Sequence, residues 1–161
     1  MAKRKEGDER DRAKPESRPP AFITVPPRRV LFLCVHNSAR SQIAEGLARH
    51  LAPPGVEIWS AGSKPGTVDP RAIQVMQEIG IDIGAQRSKP LDQVPWRDAD
   101  TVVTVCGERD EVCPAVASGV RRVHWPLPDP TQAPQDQALG AFRDTRDELK
   151  WRIASLWPQG D

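Results

Sequence analysis

The chain has 161 residues, 38% hydrophobic and 28% charged, with a formal net charge of +1. That balance describes one domain large enough for a real core, and it calls for neither nucleic acid nor an anionic membrane surface as partner. No stretch approaches the roughly 18 apolar residues of a membrane span, and the charged N-terminus lacks the apolar run of a secretory signal, so a cytoplasmic protein is expected.

The first 20 residues, MAKRKEGDERDRAKPESRPP, hold seven basic and five acidic side chains. Such a segment cannot bury enough surface to offset the entropy of ordering. Residues 1–27 therefore read as a disordered charged tail, and residues 28–158 as a single catalytic domain. RVLFLC (29–34) is a continuous apolar run, the pattern of a strand buried on both faces. SQIAEGLARHL (41–51) has helix periodicity through Ile43, Ala44, Leu47, Ala48 and Leu51. Gly46 costs that helix about 1 kcal/mol relative to alanine, which points to close packing there, and Pro53 and Pro54 end it.

VEIWSA (56–61) reads as a second strand and GSKPG as loop. Asp69-Pro70 reads as an N-cap followed by proline at the first helical position. The helix RAIQVMQEIG sets Ile73, Met76 and Ile79 on one side, with Gly80 closing it. TVVTVC (101–106) and VRRVHW (120–125) are the third and fourth strands. A final helix over about 135–156 carries the stripe Phe142, Leu149, Ile153 and Leu156. Alternating strands and helices predict an α/β fold, a three-layer sandwich with a central four-stranded, mostly parallel sheet and helices on both faces.

Cys34 ends the first strand, where open α/β sheets bind ligands. The loop Val35, His36, Asn37, Ser38, Ala39 then feeds a helix starting near Ser41. A helix start offers unpaired N–H groups and the positive end of the dipole, which favour a thiolate and attract an anion. Arg40 adds a fork of donors able to grip two oxygens of a tetrahedral oxyanion. The plain alternative is a buried cysteine followed by a Ser41 N-cap, and Ser41 can serve both readings.

Cys106 ends the third strand on the same sheet edge as Cys34, and Cys113 follows seven residues later in CGERDEVCP. Both can be inert buried hydrophobes. Zinc wants four ligands in a closed geometry, and the three cysteines with His36, His50 and His124 show no tight metal spacing, so no metal is expected. Asp129, in WPLPDPTQAP, is stiffened by prolines at 126, 128 and 130. It is either a proton donor to a departing oxygen or an ordinary turn aspartate.

CVHNSARSQ resembles the phosphate loop of the low-molecular-weight tyrosine phosphatase fold, and more narrowly that of the thioredoxin-coupled arsenate reductases. The similarity runs from about Arg29 to Trp157. It implies Cys34 as nucleophile, Arg40 as oxyanion clamp, Asn37 shaping the loop and Ser41 stabilising the thiolate, with residues 35–41 as the oxyanion-binding loop. Asp129-Pro130 matches the family's acid loop, and Ser60-Ala61-Gly62 its segment after the second strand. The family pattern further implies a relay. Cys34 attacks arsenate, Cys106 attacks Cys34 as arsenite departs, and Cys113 attacks Cys106. A Cys106–Cys113 disulfide remains for thioredoxin, with residues 107–111 as a linker able to unwind. No cofactor is implied.

The chain has no tyrosine, whereas phosphatases of this fold carry tyrosines beside the acid loop. That favours a small inorganic anion, arsenate or phosphate, as ligand. Some reductases of the family hold potassium near the loop. Asn37, Glu45 and Ser60 fall on matching positions, but Lys89 stands where their aspartate lies. An ammonium repels a second cation, so no tight potassium site is expected and Lys89 itself supplies the charge. The competing readings are a phosphomonoesterase, which needs only Cys34, Arg40 and Asp129, and an anion-binding regulatory protein, which needs no thiol turnover.

Overall fold

The computed structural model describes residues 25–107 and 120–158. The expected tail at 1–27 lies outside the described residues except for its last three positions. Cys113 and most of the 107–111 linker also lie outside them.

β1 (Arg29–Cys34) is the spine of the sheet. Its side chains alternate between two cores. Val30, Phe32 and Cys34 enter the larger one, while Leu31 and Leu33 enter the smaller. Both faces being covered is why the run is apolar without alternation. β2 (Glu57–Gly62), β3 (Thr101–Thr104) and β4 (Arg121–His124) complete four strands in the order β2-β1-β3-β4. All pairings are parallel, with Cys34 opposite Gly62 and Leu33 opposite Thr104. The carboxyl ends of β1, β2 and β3 therefore meet at one edge.

Three helices pack on the larger face. α1 (Arg40–Leu51) contacts α3 (Ala138–Ala154), and α2 (Pro70–Gln77) packs on both. The expected stripe is buried, with Phe142, Leu149 and Ile153 on α3 and Leu156 just past its end. Truncating any of them to alanine removes about 2–5 kcal/mol. Gly46 is also explained, because a β-carbon there would stand 2.5 Å from Ile83 Cγ2. Among the described residues the other face is covered by two short 3₁₀ turns, Leu91–Gln93 and Trp96–Asp98. Their Val94, Leu91 and Trp96 close over Leu31, Leu33 and Val102.

Several boundaries differ from the sequence reading. β3 stops at Thr104 rather than Cys106, although the Val105 amide still donates to the Leu33 carbonyl. α2 ends at Gln77, and Gly80 follows with φ +81°, a backbone region glycine enters freely. Asp69 caps α2 as expected, accepting from Arg71 N at 2.8 Å. The last helix begins at Ala138, preceded by a 3₁₀ turn over Gln135–Gln137. Trp157 Nε1 donates to the Pro27 carbonyl at 2.8 Å, tying the two ends of the described fold together.

Candidate active site

Cys34 is buried, with a free thiol. The loop that follows turns back over its sulfur. Asn37 makes this turn with φ +51°, a left-handed conformation that asparagine tolerates better than most residues. The turn aims the Asn37 amide at Cys34 Sγ, 3.2 Å away.

The Asn37 side chain sets the polarity of the surroundings. Its Oδ1 accepts from Gln42 Nε2 (2.9 Å) and from Lys89 N (2.9 Å). Those two donors fix which end of the amide is oxygen. Nδ2 therefore donates to Ser41 Oγ (2.7 Å) and to Ser60 Oγ (3.0 Å). Ser41, already an acceptor, is left with its own proton for Cys34 Sγ at 2.8 Å. The sulfur thus accepts from both a hydroxyl and a backbone amide. Ser60 in turn donates to Glu45 Oε1 at 2.6 Å. The hydroxyl of Ser41 is thus spent on the thiol. The N-cap of α1 is Ala39, with no side-chain cap hydrogen bond, which sets aside the plain alternative of a Ser41 N-cap.

Glu45 is buried and meets two cations. Arg49 Nη2 lies 2.8 Å from Oε2, and Lys89 Nζ lies 3.6 Å from Oε1. Lys89 Nζ also donates to the Arg87 carbonyl (2.9 Å) and to Ser60 Oγ (3.4 Å). Desolvation lowers the basicity of Lys89, and the Glu45 charge works against that shift. The ammonium thus stands among the oxygens of Glu45, Ser60 and Arg87.

Arg40 is nearly fully buried beside Cys34. Its Nη1 donates to the Leu127 carbonyl (3.1 Å) and lies 3.5 Å from the Val105 carbonyl; its Nη2 lies 3.6 Å from Asp129 Oδ2. This one guanidinium joins the phosphate loop, the end of β3 and the acid turn. Asp129 is itself fixed, its Oδ1 accepting from Thr131 N (3.0 Å) and Thr131 Oγ1 (2.7 Å). Cys106 Sγ lies 4.0 Å from the carbonyl oxygen of Leu33, the residue before Cys34. Cys106 is disulfide-bonded.

Val35, Ser38 and Ala39 complete the loop through their backbones. The Val35 carbonyl accepts from Lys64 N, and the Ser38 carbonyl accepts from Asp69 N. His36 is exposed, and its Nδ1 lies 3.0 Å from the Lys64 carbonyl. A carbonyl only accepts, so this nitrogen carries the proton. Cys34, Asn37, Arg40, Ser41, Cys106 and Asp129 are thus gathered at the carboxyl edge of the sheet, as the sequence led one to expect.

Gln42 and Gln86 were not singled out in the sequence. Gln42 is fully buried, and its Nε2 lies within 3.0 Å of Asn37 O, Asn37 Oδ1 and Arg87 O. Gln86 donates to Gln42 Oε1 at 2.7 Å. Together they clamp residues 86–89 onto the loop. Gly62 packs so closely that a β-carbon would lie 2.6 Å from the Val35 carbonyl and 2.9 Å from Asn37 N. The one available signal was the run Ser41, Gln42, Glu45 on a single side of α1, which ordinarily reads as a solvated face.

A cysteine under a loop amide, a buried arginine and an aspartate across the pocket are the kinds of group that a nucleophile, an oxyanion clamp and a proton donor require. The family model for low molecular weight phosphotyrosine protein phosphatase matches residues 29–159. The chain belongs to that family. It is similar to a curated arsenate reductase of Halalkalibacterium halodurans, 41% identical over 133 residues, 81% of this chain and 96% of the relative. Among solved structures it is similar to an arsenate reductase in the phosphate-binding state, with 34% identity and a TM-score of 0.68, covering 80% of this chain and 95% of that one. A thioredoxin-dependent arsenate reductase of Corynebacterium glutamicum superposes with a TM-score of 0.57 at 32% identity, covering 88% of this chain and 68% of that one. No described helix is long and apolar enough to cross a membrane.

Proposed function

We propose that this chain reduces arsenate to arsenite through a thiol relay ending in a disulfide that thioredoxin reduces. The observation that carries the reading is the placement of a free Cys34 beneath the loop with Cys106 beside it, its sulfur 4.0 Å from the Leu33 carbonyl. A phosphatase needs the first thiol and has no use for the second.

The chemistry follows from the geometry. Arsenate enters with its oxygens toward Arg40 and the loop amides. Cys34 thiolate, held by the donors Ser41 Oγ and Asn37 N, attacks arsenic(V). One oxygen leaves with a proton from Asp129, which stands across from Arg40. Cys106 thiolate then attacks the Cys34 sulfur. A sulfur–sulfur bond forms as the sulfur–arsenic bond breaks, and its electron pair stays on arsenic, which departs as arsenite. Cys113 attacks the Cys106 sulfur, freeing Cys34 as thiolate and leaving a Cys106–Cys113 disulfide. Thiol exchange of this kind requires in-line access. The disulfide-bonded state of Cys106 supports the final step. Thioredoxin supplies two electrons per cycle, which fits a reducing compartment such as the cytoplasm.

The test is arsenate-dependent NADPH oxidation with thioredoxin and thioredoxin reductase. Turnover that disappears in Cys34→Ser is the expected result. Aryl phosphate cleavage without arsenate turnover would replace this reading with the phosphomonoesterase.

A further inference from the structure

Four consecutive carbonyls of the phosphate loop are each held by a donor from outside it. Val35 O accepts from Lys64 N (2.7 Å), Asn37 O from Gln42 Nε2 (3.0 Å) and Ser38 O from Asp69 N (2.9 Å). His36 O accepts from the Ser88 hydroxyl (2.9 Å). In a trans peptide unit, as all of these are, the carbonyl and the following amide point in opposite directions. Outward carbonyls therefore turn the amides of His36, Asn37, Ser38 and Ala39 inward. The Asn37 amide shows the result, standing 3.2 Å from Cys34 Sγ. Successive amides turned to one side form a concavity for an anion.

The four anchors differ in kind. Lys64 N and Asp69 N are main-chain donors, and Gln42 is fully buried. Ser88 is a half-buried side chain in the segment laid over the loop. Its Oγ accepts from Gly66 N at 2.9 Å, so its own proton is committed to the His36 carbonyl. A serine bridging residues 66 and 36 can merely pin two loops together. Its acceptor points to more, because the His36 carbonyl shares a peptide unit with the amide that reaches Cys34 Sγ. Rotation of that unit changes the φ of Asn37. At +51° this φ lies in a region costly for any residue but glycine, so an unanchored unit gains by turning its amide away.

We infer that Ser88 is a positioning residue for oxyanion binding: by donating to the His36 carbonyl it fixes the 36–37 peptide unit with its amide directed into the phosphate loop. The inference rests on the reading of residues 35–41 as the oxyanion-binding loop.

Titration of the reduced full-length chain with inorganic phosphate tests it, by calorimetry and by the amide resonances of an isotope-labelled sample. Ser88→Ala should weaken phosphate binding about fivefold, the scale of one hydrogen bond, while Ser88→Thr, which keeps the hydroxyl, should stay within about twofold of wild type. Ser63→Ala, an exposed serine at the start of the same neighbouring loop, should bind as wild type does. The resonances separate positioning from general loosening. In Ser88→Ala the response of the Asn37 amide to phosphate should shrink. That of Ala39, whose peptide unit is held by Asp69 N, should persist. Unchanged phosphate affinity in Ser88→Ala overturns the role, as does loss of the Asn37 and Ala39 responses together. Absence of phosphate binding by the wild type overturns the reading of the loop and this role with it, a result distinct from the other two. Should Ser88→Ala fail to fold, Ser88→Gly carries the same comparison.

Discussion

Lys89 offers a sharp test of the electrostatics under the phosphate loop. Its ammonium stands 3.6 Å from Glu45 Oε1, with 12% and 5% of the two side chains exposed. At an effective dielectric of 20 the gross attraction is about 5 kcal/mol. Two effects reduce what Lys89→Met would cost. Desolvation of the ammonium offsets much of the gain, as its depressed basicity shows, and Arg49 remains on the other Glu45 oxygen at 2.8 Å. A net change of no more than about 1 kcal/mol is expected, because burial outweighs the attraction to Glu45, a shift of no more than about 2–4 °C in melting temperature for a chain of this size. Wild type should melt at the same temperature in sodium and potassium chloride. Lys89→Met should regain stability in potassium alone, because the vacated oxygens of Glu45, Ser60 and Arg87 then face a dissolved cation. The pH dependence has a definite sign. A lysine whose folded pKa is below 10.5 lets the unfolded chain hold the extra proton in that window. Its contribution to stability therefore rises with pH there, and the slope should vanish in the variant. Potassium-dependent melting of the wild type would refute the argument.

Three further outcomes are expected. Ser41→Ala removes the 2.8 Å hydroxyl donor to Cys34. A hydrogen bond to a charged group is worth about 1.5–3 kcal/mol, so alkylation of Cys34 and single-turnover arsenite release should both slow about 10- to 100-fold, and unchanged rates would remove Ser41 from the mechanism. Gly62→Ala places a β-carbon 2.6 Å from the Val35 carbonyl. It should weaken oxyanion binding, measured by calorimetry with phosphate, far more than Gly66→Ala, where nothing lies within 4 Å. Glu78 is lowered to about 2, mainly by hydrogen bonds to Arg143 and then Arg146. Its contribution is complete above the unfolded value of 4.5 and disappears as pH falls through about 2. The stability gap between wild type and Glu78→Gln should therefore be constant near neutrality and close between those two values.

The fold was legible where period and punctuation agreed. RVLFLC is apolar at every position but the first because both of its faces are buried, and the α3 stripe is buried as its spacing requires. The candidate nucleophile and clamp, Cys34 and Arg40, were legible because the motif falls between a buried strand and an amphipathic helix. The supports were harder to read. Gln42 and Glu45 lie on the polar side of α1, which predicts solvent, yet residues 86–89 cover them. That docking is a contact across more than 40 residues, and nothing local encodes it. Lys89 was legible as a charge but not as a bound one. Its carbonyl accepts from Gly62 N and its amide donates to Asn37, so backbone pairing delivers the ammonium to Glu45. The cover of the smaller core was also hidden, because 3₁₀ turns such as Leu91–Gln93 and Trp96–Asp98 carry no helical period.

The central claim is a relay of three thiols, and Cys113→Ser tests it most directly. The reduced variant should release one equivalent of arsenite per chain and then stop, while the wild type turns over continuously with thioredoxin. Sustained thioredoxin-dependent turnover by the variant would contradict the relay.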